Sequence, residues 1–180
     1  MNSATRETDN PRELQADRDY WSGSPVLLTG ASGFVGSHLV KALLASGAEV
    51  AILLRDHDPR SELFRSGSID GVAVTEGDLE SLADVERAVA ESGASVVFHL
   101  GAQTLVGVGL NAPLLTFESN VRGTYNVLEA CRRQSGTVER LVVASSDKAY
   151  GQSDHAYVED DPLRASSPYD VSKAAADLIA

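Results

Sequence analysis

Short apolar runs alternate with longer amphipathic stretches along most of the chain. Pro25-Val26-Leu27-Leu28-Thr29 reads as a short buried strand. Residues 37–46 then place Leu39, Val40, Leu43 and Leu44 on one helical face, and Gly47 ends that helix. Residues 49–54 form a second apolar strand, completing a strand–glycine turn–helix–strand unit. A polar stretch over residues 55–70 holds a short helix near 61–65. Val72-Ala73-Val74 is the third strand. Residues 81–92 carry Leu82, Val85, Ala88 and Val89 at helical spacing. Residues 94–100 are almost wholly apolar, as expected of a parallel strand covered on both faces. A loop over 101–111 leads to a long helix over 113–133. Leu141-Val142-Val143-Ala144 is the fifth strand. A last helix opens at Ser167-Pro168, where serine can cap and proline suits the first turn.

Strands alternating with helices predict an α/β fold, a doubly wound, Rossmann-type parallel sheet of order 3-2-1-4-5. Ligands of such sheets sit at the carboxyl ends of the strands, where the strand order reverses. Residues 1–22 read as a polar N-terminal tail, with Tyr20-Trp21 as an anchor onto the body, and residues 23–180 as the nucleotide-binding domain.

Composition narrows the function. The net charge of -11 leaves no basic excess for nucleic acid. No apolar run approaches the ~20 residues that span a bilayer, and the N-terminal stretch has no apolar signal region. Cys131 is the only cysteine, which fits a reducing cytoplasm, and the four histidines show no metal-ligand spacing with it. The expected protein is cytoplasmic, with no metal and no membrane or nucleic-acid partner.

Gly30, Gly33 and Gly36 follow a strand and open a helix. Glycines there allow a tight turn and close approach of backbone to a pyrophosphate, which the helix N-terminus then favours. Gly30, Ser32, Gly33, Phe34, Val35 and Gly36 are therefore candidate cofactor contacts. The second strand ends Leu54-Arg55-Asp56. An acidic residue in that place takes the ribose hydroxyls of NAD, and an arginine takes the 2′-phosphate of NADP. Both are present, and Arg55, nearer the strand end, tilts the expectation slightly to NADP. Asp78 and Leu79 follow the third strand, near the adenine. Leu100, Gly101, Ala102 and Gln103 follow the fourth, near a ribose. Tyr169 and Lys173 lie four apart on the last helix and share a face. The lysine ammonium would favour a phenolate, which suits proton removal from an alcohol as hydride leaves for a nicotinamide. Ser146, just past the fifth strand, can hydrogen-bond the same hydroxyl.

These motifs resemble the extended short-chain dehydrogenase/reductases of the NAD-dependent epimerase/dehydratase group, which act on nucleotide sugars. The segments that carry the resemblance are residues 29–38, His99-Leu100-Gly101-Ala102-Gln103, Asn120-Val121-Arg122-Gly123-Thr124 and Tyr169-Asp170-Val171-Ser172-Lys173. It implies a hydride-transfer triad of Ser146, Tyr169 and Lys173, the last two also touching the cofactor. Ser146-Asp147-Lys148, with Tyr20-Trp21 and residues 103–107, is similar to the CDP-glucose 4,6-dehydratase subgroup. That similarity implies oxidation at C4 of a hexose, loss of water across C5–C6 and return of hydride to C6. Asp147 would then act as acid at the 6-hydroxyl and Lys148 would assist removal of the C5 proton. An epimerase or reductase of the same group, or a non-catalytic dinucleotide-binding module, are the alternatives. Members of the group continue past the Tyr/Lys helix into a sixth strand and a substrate domain. The resemblance therefore implies a partial chain that alone binds cofactor weakly and does not turn over. It also implies a homodimer through the helices at 113–133 and 167–180.

Overall fold

The computed structural model describes residues 19–180, so most of the polar tail expected over 1–22 lies outside the described residues. Five parallel strands form one sheet of order β3-β2-β1-β4-β5. They are β1 Pro25–Thr29, β2 Glu49–Leu54, β3 Ala73–Glu76, β4 Val96–His99 and β5 Arg140–Val143. The central strand β1 pairs Val26 with Val50 on one side and Val26 with Val96 on the other. The order reverses there, so the carboxyl ends of β1 and β4 splay apart into a crevice.

Alternate residues of β1 face opposite layers. Val26 and Leu28 point to a core shared with Val40 and Leu43 of α1 (Phe34–Ala45). Leu27 points to a second core on the opposite face of the sheet, shared with Val85 and Val89. The elements between are α2 (Glu62–Arg65), α3 (Leu82–Ser92), α4 (Val106–Asn111), α5 (Pro113–Phe117), α6 (Gly123–Arg133) and α7 (Pro168–Ile179). Val85 and Val89 belong to α3, and Val127 and Cys131 of α6 complete that second core. Val26, Leu27 and Leu28 are buried almost completely, each worth ~1.5–3 kcal/mol of transfer free energy. Trp21 packs against the first core, its ring 6.0 Å from that of Phe98.

Several boundaries differ from the sequence expectation. Helix α1 begins at Phe34, so Gly36 lies inside its first turn rather than before it. Strand β3 starts after Val72, because pairing runs from Ala51–Ala73 to Leu54–Glu76. Strand β4 is shorter than the apolar run over 94–100, and β5 begins and ends one residue earlier than expected. The loop expected over 101–111 contains α4. The single helix expected over 113–133 is interrupted by a π-turn at Glu118–Arg122, which widens the backbone at Asn120. Residues Asp147–Tyr150 form a 3₁₀ turn capped by Ser146, whose Oγ accepts the Lys148 N–H at 3.2 Å.

Candidate active site

Two glycines make the turn after β1 possible. Gly30 has φ +75°, and a Cβ there would lie 2.6 Å from the Gly101 nitrogen. A Cβ on Gly36 would lie 2.1 Å from the Gly30 carbonyl oxygen. Only glycine lets the first turn of α1 close onto the end of β1 while the backbone of the β4 loop comes alongside. Ser37 N–H is satisfied by the Gly33 carbonyl at 2.9 Å, whereas the amides before it open the helix, where no intrahelical partner exists.

The turn forms one wall of a cavity of about 480 Å³. Ser32, Gly33, Phe34 and Val35 line it beside Gly30 and Gly36. Phe34 and Val35 are exposed at its mouth. Arg55 and Asp56 line the β2 side, Asp78 and Leu79 the β3 side, and Leu100, Gly101, Ala102 and Gln103 the β4 side. These fourteen positions come together as backbone and side chain around one crevice at the carboxyl edge of the sheet. Its bare glycine backbone and its length across the strand ends fit a dinucleotide. Leu53, Leu54, Gly77, Thr104, Leu115 and Ser119 also line it. Leu115 and Ser119 come from α5 and the π-turn, too distant in sequence for any local signal to place them there.

Hydrogen bonds from basic, amide and hydroxyl donors hold the loops around this crevice in place. Arg55 Nε donates to Asp56 Oδ2 at 2.6 Å, and this bond, with the fields of Asp56, Asp78 and Glu80, raises the pKa of the guanidinium. Asp78 N–H donates to Asp84 Oδ2 at 3.3 Å, the main reason the Asp84 carboxyl titrates below its ordinary range. Asn126 Nδ2 donates to the Leu79 carbonyl at 2.7 Å, and Ser119 Oγ donates to Glu80 Oε1 at 2.7 Å, so the β3 loop is tied to α6 and the π-turn.

Asn120 links the crevice to the last helix. Its Oδ1 accepts from Gln103 N–H at 2.7 Å, and its Nδ2 donates to the Gln103 carbonyl at 3.0 Å and to Ser172 Oγ at 2.8 Å. Ser172 Oγ in turn donates to the Tyr169 carbonyl at 2.6 Å. Tyr169 and Lys173 are both buried on α7 and lie outside the cavity lining. Lys173 Nζ donates to the Ala144 carbonyl at 2.6 Å, and burial lowers its pKa against a small opposing pull from Asp177. Ser146, Asp147 and Lys148 sit on the 3₁₀ turn that packs against α7. Ser146 Oγ donates to Asp147 Oδ1 at 3.3 Å, and Lys148 Nζ lies 3.6 Å from Asp147 Oδ2, both side chains being exposed. The structure thus gathers the predicted residues into two groups, those that line the crevice and those on the 3₁₀ turn and the α7 helix packed against it. Asn120 joins them; the sequence singles it out within Asn120-Val121-Arg122-Gly123-Thr124 but assigns it no role. Among the described residues no group of histidine, cysteine, aspartate and glutamate side chains is arranged to hold a metal.

A doubly wound domain with this glycine cradle at the carboxyl edge of the sheet defines a class of α/β proteins whose crevice fits a dinucleotide. The chain belongs to the NAD dependent epimerase/dehydratase family, whose model matches residues 26–180. It is 32% identical to CDP-glucose 4,6-dehydratase of Salmonella typhimurium over 167 residues, covering 91% of this chain and 46% of that protein. It is 33% identical over 160 residues to UDP-glucose 4-epimerase 3 of Oryza sativa, covering 84% of this chain and 42% of that protein. Among solved structures, UDP-glucose 4-epimerase of Thermus thermophilus in complex with NAD superposes with a TM-score of 0.74 at 41% identity, covering 86% of this chain and 49% of that one. The chain spans about half the length of the curated relatives it matches.

Proposed function

We propose that this chain carries the cofactor half and the reacting side chains of a nucleotide-sugar 4,6-dehydratase that uses NAD. The observation behind it is the adjacency of Asp147 and Lys148 on one 3₁₀ turn against the helix of Tyr169 and Lys173. An oxidation needs only the phenol and lysine; an acid and a base beside them suit dehydration. The similarity to a CDP-glucose 4,6-dehydratase supports the same reading.

In this reading the glycine turn holds the pyrophosphate, Arg55 and Asp56 the adenosine ribose, and residues 100–103 the second ribose. When bound, the nicotinamide supplies a reversible hydride acceptor. Tyr169 takes the proton of the C4 hydroxyl, with Lys173 one turn further on the same face of α7. Ser146 hydrogen-bonds the same oxygen. The C4 carbonyl that results acidifies the C5–H bond. Lys148, as the neutral amine, would take that proton and Asp147, as the protonated acid, would give one to the departing 6-hydroxyl, so one water leaves. Return of the hydride to C6 and of a proton to C5 would then give the 4-keto-6-deoxy hexose and restore NAD.

The choice of NAD over NADP rests on charge. The sequence expectation of NADP rests on Arg55 alone. Arg55 is paired to Asp56 and sits in the field of Asp78 and Glu80, so a 2′-phosphate would meet more carboxylates than guanidinium. The family is NAD dependent by its description.

The test is calorimetric titration of the 180-residue protein with NAD and NADP, followed by incubation with NAD and CDP-, dTDP- or UDP-glucose and NMR of the products. A 4-keto-6-deoxy hexose supports dehydration. A C4 epimer without loss of water overturns it in favour of an epimerase. Cofactor binding with no sugar bound favours a dinucleotide-binding module.

A further inference from the structure

We infer that His99, a residue with no place in the chemistry above, is the positioning residue that sets the cofactor-facing β4 loop against the glycine turn, through a one-way chain of hydrogen bonds to Thr29. The inference rests on the dinucleotide reading of the crevice.

The direction of the chain follows from its ends. Thr124 Oγ1 donates to the Asn120 carbonyl at 2.6 Å, so its lone pair faces His99 Nε2 at 3.1 Å and must receive a proton from it. His99 Nε2 is therefore the protonated nitrogen. At the other end, the Gly101 N–H donates to Thr29 Oγ1 at 3.1 Å. The Thr29 hydroxyl keeps its own proton for His99 Nδ1, 2.8 Å away. Every donor and acceptor is used once, and only the neutral Nε2–H tautomer allows it.

The imidazole is almost fully buried, and its pKa is pushed down to about 4 by burial and then by the charge of Lys173. The elements that touch it from β1 and α6 present hydroxyls, from Thr29 and Thr124. Lys173 on α7 is the charged group that it feels. The ring is thus held in the one state that the chain requires.

The consequence falls on Gly101. Its backbone lies against Gly30 so closely that a Cβ on Gly30 would come within 2.6 Å of the Gly101 nitrogen. Among the described residues the Thr29 hydroxyl is the one side-chain partner of that nitrogen, and His99 orients the hydroxyl. Gln103, two residues on, is held separately by Asn120. Loss of the His99 acceptor therefore leaves the Thr29 hydroxyl unoriented and loosens the Gly101 end of the loop, which the Leu100 N–H to Thr29 carbonyl bond at 3.2 Å still ties to β1, while its far end stays fixed.

Two substitutions separate this from simple packing. In His99→Asn the amide oxygen can take the place of Nδ1 and accept from Thr29. In His99→Gln the amide nitrogen can take the place of Nε2 and donate to Thr124, but nothing accepts from Thr29. Titrating the full 180-residue protein with NAD should show His99→Gln and Thr29→Val each weakening binding about tenfold, one buried hydrogen bond's worth, while His99→Asn stays within about threefold of wild type. In the 15N spectrum of the wild-type imidazole, Nε2 should carry the proton and Nδ1 should be bare at pH 7. Equal affinities in all three variants would overturn the inference, as would losses that follow melting temperature regardless of which nitrogen is mimicked, or a proton on Nδ1. Failure of wild type to bind NAD would instead overturn the dinucleotide reading.

Discussion

Arg55 Nε donates to Asp56 Oδ2, with Asp78 and Glu80 contributing to the field around it. Both partners are more than half exposed, so solvent weakens the pair and it contributes little to stability. Its effect is on selectivity. Replacing Asp56 with Ser should raise the NADP/NAD affinity ratio about five- to tenfold, measured by parallel titrations, since one carboxylate near the 2′ position is removed. An unchanged ratio would show that the ribose end lies elsewhere. His99 gives a prediction in pH. Its folded pKa of about 4 lies below its ordinary 6.5. Between those values the unfolded chain takes up a proton that the folded chain refuses. Stability is therefore complete above pH 6.5 and falls as pH drops toward about 4, by ~3 kcal/mol in all. His99→Gln removes this component, so the stability difference between wild type and variant should shrink as urea midpoints are taken from pH 7.5 to 5. Parallel curves would contradict the burial of a neutral ring.

The π-turn between α5 and α6 is the element on which the two halves of the site meet. Asn120 satisfies both backbone groups of Gln103 and reaches Ser172 from there. Asn120→Ala should cost ~3 kcal/mol in chemical denaturation, because several buried polar groups lose their partner at once. Asn120→Asp should not rescue it, since a carboxylate oxygen would then face the Gln103 carbonyl. A loss below ~1 kcal/mol for either would mean that water or a backbone shift replaces the clamp. This element also marks where sequence reading stopped. The glycine turn was legible because its constraint is local: positive φ at Gly30 and the contact between Gly36 and the Gly30 carbonyl act within seven residues. The strand order followed from the alternation of strands and helices. The helix α4 was not legible, because Val-Gly-Val-Gly-Leu-Asn has the composition of a loop, glycine costing ~1 kcal/mol in a helix. The reason for glycine there is tertiary. Gly109 abuts Tyr169, where a Cβ would approach the tyrosine Cβ to 3.1 Å. The π-turn likewise has no local signature in Glu118–Arg122, and its clamp joins residues more than fifty positions apart.

At the scale of the whole molecule, apolar side chains remain uncovered on α5, α6 and α7. Leu114 is 72% exposed, Tyr125 45% and Leu178 76%. The homodimer proposed through these helices would cover them. Sedimentation velocity should show a dimer at micromolar concentration, with Tyr125→Glu and Leu178→Glu shifting it to monomer; a wild-type monomer throughout would remove the proposal. The placement of Trp21 against Phe98 bears on how the crevice is assembled in time. Strand β1 pairs with β2 across a short connection, whereas its pairing with β4 closes a loop that contains β2, β3 and α3, so the β4 contacts carry a larger loop-closure cost. Phe98 belongs to β4, and Trp21 is the only tryptophan in the chain. Its fluorescence therefore times the arrival of the second wall of the crevice. In stopped-flow refolding, that signal should lag the far-ultraviolet circular dichroism, and a ligand that needs both walls should slow unfolding more than it speeds the first phase. Simultaneous signals would mean that the two walls close together.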